Sequence, residues 1–529
     1  MLQPRAYNAF MSQQGVPLSE RTCQVEMSDG EPCGRPMYFK QTVEESDYVC
    51  LMHSHDRDKN SDAFEKELEL ICNGTSVYNR TKNKRDYQGF VFFKSEFSVI
   101  SLAGVENNFA KAAFVSHADF SQSLFDRDVD FTGASFIKGA SFEQTRFQGR
   151  ALFAGASFAE DANFGWTSFG EEAQFYSAKF HGGVNFAKAK FSGNAKFGET
   201  TFGGTAYCGL AKFLRDADFV RATFSQAVEF GFVDFSGIVD LRWTSFKDPT
   251  QTVFHRINNM NMDGGPPGLR LRLKGCLLEG VRFEDVNWGR MDSRIYLQDE
   301  ADLRVAVEGS AVDTPEHGGR RSVWTHEIVA DVYRRLVNNF EKSRQYEWAE
   351  ECFLSEMEMR RCNPRHFLFA NRDLAKRLYA NVGWARWLGE NVSLTSLYRL
   401  LSSYGGSYLR ALGVLAGFIL LFAFFLPAFG LRMPSDSKIQ ALCPYADAHS
   451  PDAAMISWRC AFEHSQRGRQ LIHTFDAGVW DALEVAAFQK TRTVEPANAG
   501  ARRLEIIESI VVPGQLALLL LAIRRRFRR

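Results

Sequence analysis

The sequence lacks an excess of charge of either sign. It contains 63 Lys and Arg against 63 Asp and Glu, so its formal net charge is zero. A chain without net charge has no overall field that recruits nucleic acid or an acidic surface. Residues 1–15 also lack the apolar segment of a secretory signal. We therefore expect a protein that does not bind nucleic acid and does not carry such a signal.

The sequence also lacks the motifs of common enzymes. It has no Gly-rich phosphate loop, no nucleophile elbow and no paired carboxylates on a recognisable pocket wall. His117 and His181 stand alone, and isolated histidines are expected at the surface rather than in acid–base catalysis. The sequence therefore predicts no enzymatic activity.

Phenylalanine, in contrast, is abundant and periodic. The chain contains 47 Phe, and from Phe109 to Phe246 they recur at alternating steps of five and six residues. Cys208 and Leu241 occupy the remaining slots, and a small or β-branched residue such as Ala112 stands two positions before most slots. The phenylalanines in the series are Phe109, Phe114, Phe120, Phe125, Phe131, Phe136, Phe142, Phe147, Phe153, Phe158, Phe164, Phe169, Phe175, Phe180, Phe186, Phe191, Phe197, Phe202, Phe213, Phe219, Phe224, Phe230, Phe235 and Phe246.

This period fits neither a helix nor an ordinary strand. Helices place apolar residues three and four apart, and strands place them two apart. A chain that turns a corner every five or six residues instead points one large and one small side chain inward on each face, which is the pattern of a solenoid. The alternating steps predict about 22 residues per turn and roughly six turns. We expect these phenylalanines to be core, so that Phe→Ala costs about 3–5 kcal/mol.

Three tripeptides carry a family resemblance. Ala-Asp-Phe at 118–120 and 217–219 and Ala-Asn-Phe at 162–164 resemble the unit of the pentapeptide-repeat proteins, roughly Ala-(Asp/Asn)-(Leu/Phe)-x-x. The resemblance covers the series from Phe109 to Phe246 and implies a mainly β fold, a right-handed, four-sided β-solenoid, which we expect to extend over residues 91–290. We expect an insertion at 247–268, followed by a further turn or cap with Leu273, Leu278, Phe283 and Trp288.

The same resemblance raises the alternative of DNA mimicry. Some pentapeptide-repeat proteins are acidic rods that mimic DNA and bind topoisomerases. Between Phe109 and Phe246 the sequence has 15 Asp or Glu against 13 Lys or Arg. A mimic of the phosphate backbone needs a sustained negative face, so this near-balance disfavours DNA mimicry.

Before the coil, residues 1–60 contain a candidate metal site. The site consists of three cysteines and a histidine, which are separated along the chain by nine, sixteen and two residues. Four such ligands within about 30 polar residues suit a tetrahedral structural Zn²⁺. A full set of protein ligands leaves no open position for catalysis. Two alternatives are that His55 replaces the histidine, or that the four residues are unrelated, because the nine-residue gap is looser than in a zinc ribbon. The predicted ligands are Cys23, Cys33, Cys50 and His53.

Helical patterns flank the coil on both sides. Residues 61–90 contain a short amphipathic helix at 62–70 that leads into the coil. Residues 320–403 are predicted to form a helical platform, with a helical hairpin over 325–361, because apolar residues there recur at helical spacing.

Two segments near the C-terminus are predicted to span a membrane. Residues 408–432 include 21 consecutive uncharged residues, enough to cross a bilayer of about 30 Å. The second predicted span, 504–523, is less apolar, because it brings three polar residues into or near the membrane, where such groups usually face water or other helices. An interfacial amphipathic helix is the alternative. The three residues, our candidate pore-lining residues, are Glu505, Glu508 and Gln515.

Basic residues predict the orientation of these spans. Arginines precede the first span and form the tail at 524–529, so both termini are expected in the cytoplasm. Residues 433–503 would then lie outside. Cys443 and Cys460 fall in this outer segment, where a disulfide can persist.

A second resemblance concerns the segment between the spans. The run at 475–488, which begins Phe-Asp-Ala, stands between two spans as the pore helix does in the two-helix module of bacterial ion channels. The run at 398–405, Tyr-Arg-Leu-Leu-Ser-Ser-Tyr-Gly, resembles the one that precedes this module in membrane pentapeptide-repeat proteins. The Thr-Val-Gly-Tyr-Gly filter of potassium channels is missing after Phe488. Potassium selectivity is therefore not expected.

These observations support two hypotheses about function. The first is an oligomeric, pore-like protein of the bacterial inner membrane that carries a cytoplasmic solenoid. The second is a membrane-anchored scaffold that binds a protein partner on a face of the solenoid and conducts nothing.

Overall fold

A computed structural model of the chain describes most of its residues. It divides into two compact units, Met1–Glu356 and Met357–Arg529. The residues that it describes are 21–38, 49–73, 75–78, 84–93, 95–96, 104–257, 268–292, 294–307, 315–316, 320–321, 325–363, 394–429, 431–432, 455–456, 469–486, 495–496 and 498–527.

The first unit is built around a coil of very short strands. Each strand pairs in parallel with the strand about one turn later, as in Ala140 with Ala162 and Phe147 with Phe169, so one turn takes 22 residues. The result is a β-solenoid of about seven turns, one more than the phenylalanine series indicated. The extra strands lie before and after that series. The handedness and four-sided cross-section of the coil stay predictions.

The strands of the coil form four parallel sheets. The first sheet contains Lys84–Asp86, Glu106–Asn108, Val129–Asp130, Ala151–Leu152, Ala173–Gln174, Ala195–Lys196, Ala217–Asp218, Ile238–Asp240 and Arg270–Arg272. The second contains Ser95–Glu96, Ala118–Asp119, Ala140–Ser141, Ala162–Asn163, Val184–Asn185, Ala206–Tyr207, Val228–Gly231, Thr252–His255 and Arg282–Glu284.

The remaining two sheets are shorter. The third contains Leu124–Phe125, Arg146–Phe147, Ser168–Phe169, Lys190–Phe191, Lys212–Phe213 and Asp234–Phe235. The fourth contains Val91–Phe92, Ala113–Phe114, Ser135–Phe136, Ser157–Phe158, Lys179–Phe180, Thr201–Phe202, Thr223–Phe224 and Ser245–Phe246.

The phenylalanines fill the interior of the coil in stacked columns. Phe153 lies 4.9 Å from Phe131 and 5.0 Å from Phe175, centroid to centroid, with nearly parallel rings. Between columns the rings meet edge to face, as in Phe142 and Phe153 at 5.3 Å. Small residues such as Ala156 are buried and leave room for the rings. Stacked and edge-to-face aromatic pairs stabilise a core beyond the effect of burial alone.

Glycines mark places where one turn of the coil approaches the next. Gly149 and Gly193 both lie within six-residue steps of the phenylalanine series. A Cβ at Gly149 would come within 2.6 Å of the carbonyl carbon of Arg127, and one at Gly193 within 2.4 Å of that of Glu171. At these two steps the backbone therefore approaches the preceding turn to a distance that only glycine allows.

The coil continues inside the stretch where we expected an insertion. Thr252–His255 pairs with Val228–Gly231, and Phe254 stacks 4.8 Å from Phe230 and 5.1 Å from Phe283. Residues 258–267 lie outside the described residues. The chain then rejoins the coil through Arg270–Arg272 and Arg282–Glu284, as the echo of the period at Phe283 indicated.

A helix covers the N-terminal end of the coil. Helix α1, Ser61–Cys72, begins at Asn60, whose side-chain oxygen accepts a hydrogen bond from Ala63 N over 3.0 Å. Phe64 of this helix meets the edge of Phe92 at 5.8 Å. Tyr87 stacks on Phe109 at 4.6 Å and extends a column of rings toward this end.

Three helices cover the other end of the coil. They are α2, Gln298–Val307; α3, His326–Lys342; and α4, Tyr346–Arg361. Trp288 packs against Phe340 of α3 at 5.8 Å and against Trp348 of α4 at 5.9 Å. Asn339 of α3 accepts from Gly280 N and donates to Val281 O, both over 2.9 Å. Short antiparallel pairs join Arg290–Met291 with Arg294–Ile295 and Pro315–Glu316 with Arg320–Arg321.

Buried charges also hold this second end together. The Glu300 carboxylate is fully buried and accepts from Arg294 over 2.7 and 2.8 Å, from Arg304 over 2.7 Å and from the Tyr333 hydroxyl over 2.9 Å. The neighbouring Asp299 accepts from the backbone N–H groups of Leu273 and Lys274. Burial raises the pKa of Asp299 to about 7, although these bonds oppose the shift.

The second unit consists of helices with a small sheet. Its helices are α5, Leu394–Ser402; α6, Tyr408–Phe429; α7, Arg469–Ala486; and α8, Ala499–Phe527. Leu431–Arg432 pairs with Met455–Ile456 and Glu495–Pro496. The first span was predicted over 408–432, and its helix α6 ends earlier, at Phe429. The second span was predicted over 504–523, and its helix α8 is longer than this range at both ends.

Two helices of this unit are long and apolar enough to cross a membrane. They are Tyr408–Phe429 and Ala499–Arg524, and 28% of the most apolar window of each is buried within the protein. Their buried residues join those of α7 in one apolar cluster, made of Ala411, Leu415, Phe422, Leu426, Ala482, Val485, Val512 and Leu519.

Candidate functional sites

The predicted metal ligands meet at one point. Cys23, Cys33, Cys50 and His53 are all buried, and their ligand atoms lie within 4.8 Å of one another. The Sγ atoms of Cys33 and Cys50 are 3.8 Å apart. His53 Nδ1 lies 3.4 Å from Cys23 Sγ and 3.1 Å from Cys50 Sγ. His55, the alternative ligand, is exposed and outside this cluster, which we call the Cys₃His cluster.

Two backbone turns bring these ligands together. In the first, Gly34 N donates to Cys23 O over 3.0 Å, and the φ of Gly34 is +73°. Glycine adopts this left-handed conformation without a steric penalty, which explains its place directly after the second ligand. In the second turn His53 N donates to Cys50 O over 3.1 Å, which sets these two ligands side by side.

A bond from outside the cluster orients the His53 ring. Its Nε2 lies 2.9 Å from the carbonyl oxygen of Gln88. A carbonyl can only accept, so Nε2 carries a proton and Nδ1 is the atom left to bind a metal. Metal-ligating histidines commonly donate their other ring N–H to a carbonyl in this way.

Arg35 supplies a buried positive charge beside the cluster. Its Nη1 donates to Cys33 Sγ over 3.4 Å, while Nε and Nη2 donate to Glu67 Oε1 over 3.2 and 3.1 Å. Burial disfavours the charge of this guanidinium, but attraction to Cys33 prevails and raises the pKa of Arg35. Hydrogen bonds from Cys23 and Cys50 lower the pKa of the Cys33 thiol. The surroundings therefore favour a thiolate at Cys33.

The cluster has the donor set of a closed tetrahedral zinc site, three cysteines and one histidine. Tetrahedral Zn–S bonds of about 2.3 Å separate two sulfurs by about 3.8 Å, which matches the separation of Cys33 and Cys50. Burial lowers the pKa of His53, but its bonds to the thiols outweigh this effect and raise it to about 9. Three thiolates and a neutral imidazole around Zn²⁺ would carry one negative charge, which the buried Arg35 would offset.

The cluster lies directly on the first turn of the coil. Gln88, which orients His53, is followed by Gly89, whose N–H donates to Ala110 O of the coil. Val91 N donates to Met52 O over 2.9 Å. The ammonium of Lys59 donates to Val91 O over 2.7 Å. The same short segment therefore carries the cluster and covers the end of the solenoid.

The C-terminal unit buries polar side chains between apolar helices. Glu508 and Gln515 of α8 are buried, whereas Glu505 is half-buried. Thr474 and Asp481 of α7 are buried as well. Sequence reasoning found the residues of α8 but missed those of α7. Polar residues do interrupt the apolar sequence of α7, which is a signal for such sites. The helical pattern alone, however, does not tell which face of α7 packs against other helices.

Gln515 connects two helices of this unit. Its Nε2 donates to Ala411 O over 2.9 Å and to Leu401 O over 3.1 Å. Ala411 lies near the start of α6 and Leu401 in α5. Gln515, expected to line a pore, therefore lies inside the helical packing of one chain, where its amide bridges backbone carbonyls.

Helix α7 packs closely against the first apolar helix. A Cβ at Gly478 would come within 2.5 Å of Ala423 O of α6. Small residues allow helices in membranes to approach this closely. Trp480 and Leu483 of α7 are exposed within the single chain. One face of α7 is thus available to lipid or to a further copy.

A polar junction precedes the first apolar helix. Glu358 of α4 accepts from Arg361 over 2.6 Å, from Tyr404 over 3.0 Å and from Arg399 over 3.4 Å. Burial raises the pKa of Glu358, but these bonds, above all that from Arg361, prevail and lower it. Gly405 has φ +77°, and a Cβ there would lie 2.8 Å from the Tyr398 hydroxyl. The run at 398–405 therefore forms the end of α5, which stops at Ser402, and the turn that follows it.

Comparison with protein families identifies the coil. Residues 120–165, 142–189 and 175–223 match the family described as pentapeptide repeats (9 copies). Residues 120–223 thus consist of pentapeptide repeats, and the resemblance seen in the sequence is confirmed. No curated protein and no solved structure matches the chain.

Proposed function

We propose that this protein is an integral membrane pentapeptide-repeat protein whose C-terminal helices assemble into an oligomeric, ion-conducting unit. The supporting observation is that Asp481 and Glu508 are buried among helices long enough to cross a bilayer. Ionisable groups at this depth are costly and usually mark ion pathways. Two spans cannot enclose a pore, so conduction requires a ring of copies.

Conduction in this proposal favours cations but not potassium in particular. Buried carboxylates stabilise cations, whereas potassium selectivity needs the carbonyl filter that the sequence lacks after Phe488. Gln515 acts in this scheme as a structural bridge, because its amide binds carbonyls of the same chain.

We place the protein in a bacterial inner membrane with both termini in the cytoplasm. The arginines before α6 and after α8 support this orientation. The segment between the two spans, residues 433–503, then faces the outside except where α7 packs against α6, and Cys443 and Cys460 form a disulfide on that outer side; both cysteines fall outside the described residues. A membrane-impermeant thiol reagent should label these two cysteines in intact cells only after reduction. Labelling of Cys72 instead would refute the orientation.

We also propose that the Cys₃His cluster binds a structural Zn²⁺. Cys23, Cys33, Cys50 and His53 would hold the ion, which would supply cross-linking and no chemistry, since all four positions are taken by protein. The scheme assigns neither a catalytic site nor a nucleic-acid partner to this chain.

Ion flux in vesicles tests the conducting function. Full-length protein in liposomes should release a cation gradient, and Glu508→Gln should lower the flux by at least about tenfold if the carboxylate lies on the pathway. Glu505→Gln, one turn earlier and half-buried, is the matched control and should have the smaller effect.

The contrary outcome identifies the alternative function. Vesicles that contain inserted protein but release no cations would refute conduction. The chain would then be a membrane-anchored scaffold, whose solenoid presents its faces to a protein partner.

A further inference from the structure

One corner of the coil is lined by large exposed side chains in a backbone conformation that suits glycine. At this corner the turn residues have φ between 49° and 60° and succeed one another about every 22 residues. Bulky residues rarely adopt this region. We call this column the aromatic edge; it consists of Gln122, Gln144, Trp166, Lys188, Leu210, Phe232 and Arg256.

A second corner with the same backbone has a different composition. There the turn residues are small or charged in all turns but one, Trp243. The residues of this second corner are Lys111, Gly133, Gly155, Ser177, Glu199, Arg221 and Trp243. Since both corners need the same turn, the turn itself does not require the large apolar residues of the aromatic edge.

The apolar residues of the edge are exposed and close to one another. Trp166, Leu210 and Phe232 are 56, 48 and 43% exposed, and Tyr207 on the adjoining strand is 48% exposed. Trp166 and Leu210 are two turns apart, about 10 Å at the usual strand spacing. An exposed apolar row on a regular scaffold marks an interaction surface.

Positive charge lies beside the Trp166 end of this row. Lys188 stands between Trp166 and Leu210, and its ammonium lies 4.1 Å from the centre of the Trp166 ring. Lys190 is exposed on the next strand of the third sheet, at the level of Lys188, whereas Lys212 one turn later pairs with Asp234 over 4.0 Å, and the exposed Glu229 neighbours Tyr207 in the second sheet. Among the described residues Lys188 and Lys190 form no ion pair. The edge thus combines aromatic and cationic groups over about three turns.

We propose that the aromatic edge docks on the surface of an anionic phospholipid bilayer. Trp and Tyr favour the interface between headgroups and acyl chains, and lysines beside them favour anionic lipids. The edge is a convex corner, so it suits a plane better than a peptide, which is usually bound in a groove or on a sheet edge. The inference rests on membrane insertion of the chain and not on conduction.

Hydroxyl-radical footprinting tests the docking on the full-length protein. The protein is placed in nanodiscs of phosphatidylcholine alone or mixed with phosphatidylglycerol, and the oxidation of each side chain is read by mass spectrometry. We expect the oxidation rates of Trp166, Leu210 and Phe232 to fall severalfold in the anionic discs. Trp243, which is 46% exposed on the second corner, is an internal control and should not change.

Charge reversal sharpens the test. Each basic residue near an anionic surface should contribute about fivefold to docking, so Lys188→Glu with Lys190→Glu should restore oxidation of Phe232, which neither lysine covers. Lys179→Glu, an exposed lysine of the fourth sheet, should leave the protection intact.

Two outcomes would overturn the proposal. Equal oxidation of Trp166 in both kinds of disc would refute it and favour a protein partner for the edge. Equal protection of Trp243 would show unspecific adsorption instead of docking. If the chain does not enter nanodiscs, membrane insertion itself is refuted. This outcome is distinguished from a failure of docking because the protein then does not co-migrate with the discs on size-exclusion chromatography.

Discussion

The two ends of the solenoid are closed by different means. At the N-terminal end a short segment covers the first turn with α1 and the Cys₃His cluster, and Gln88 connects cluster and coil. At the C-terminal end three helices cover the last turn with aromatic rings, the Asn339 bridge and the buried charges around Glu300. A coil exposes its core at both ends, so both ends need a cap.

The difference follows from the size of each cap. The N-terminal segment is too small to bury a large core of its own, so the proposed metal would supply part of its folding free energy. The C-terminal helices bring enough apolar surface to pack like an ordinary core. Since each turn contacts only its neighbours, damage to one cap should remain local. Hydrogen exchange, read separately at each end, can test this contrast.

The largest effect is expected from removal of a metal ligand. Cys33→Ser should reduce bound zinc from one ion per chain to none, because the substitution removes one of the four ligands. The loss should also destabilise this cap, because metal binding contributes on the order of 10 kcal/mol to the folding of small zinc modules. Exchange should accelerate across 21–73 and remain unchanged across 325–356. Cys72→Ser, a cysteine outside the cluster, is the control. Stoichiometric zinc in the Cys33→Ser protein would contradict the assignment.

Loss of a buried ion pair should have the next largest effect, at the other end. Arg294→Met removes the buried partner that donates to both oxygens of the Glu300 carboxylate, which costs about 3–5 kcal/mol. Exchange should accelerate in α2 to α4 only. Arg304→Met removes a half-exposed partner of the same carboxylate and should cost about 1 kcal/mol or less. Similar effects of both substitutions would show that burial is not the cause.

The two ends should respond to pH in opposite directions. The pKa of Asp299 is about 7 in the folded protein and near 3.9 when unfolded, so the folded state holds this proton more tightly. Stability at the C-terminal end should therefore be greatest below about pH 4 and decline by up to about 4 kcal/mol as the pH rises through 7. Acid should weaken the N-terminal end instead, because metal ligands must be deprotonated.

Exchange at pH 5 and pH 8 measures this difference. Asp299→Asn does not titrate, so it should remove the pH dependence of the C-terminal end and leave that of the N-terminal end. Better protection of the C-terminal helices at pH 8 than at pH 5 in the unmodified protein would disprove the assigned shift.

The smallest effect is expected from the Asn339 bridge. Asn339→Ala leaves Gly280 N and Val281 O without their side-chain partner and should cost about 1–3 kcal/mol. Asn338→Ala, at the exposed neighbouring position, should be close to neutral. The urea concentration at which α3 loses its protection from hydrogen exchange should be lower for Asn339→Ala than for Asn338→Ala. Equal urea concentrations for the two variants would show that the Asn339 bridge does not stabilise this cap.

The coil could be predicted because its pattern is local and repeated. The steps between Phe109 and Phe246 report the same corner many times, so a few irregular slots do not obscure it. The Cys₃His cluster could be predicted from residue types, which few other functions bring together. Arg35, Gln88 and Asp481 could not, because an arginine, a glutamine or an aspartate is common everywhere and becomes informative only through its neighbours.

The sequence by itself determined the period of the coil, the identity of its core residues, the four metal-ligand candidates and the two apolar helices. Only the tertiary structure decided how the coil ends. The bonds that close it join His53 with Gln88 and Gly280 with Asn339, 35 and 59 residues apart. Such contacts occur once and follow no period, so they depend on the shape that the whole unit reaches when it folds. The exposed aromatic edge is of the same kind, since its residues become a row only when successive turns stack.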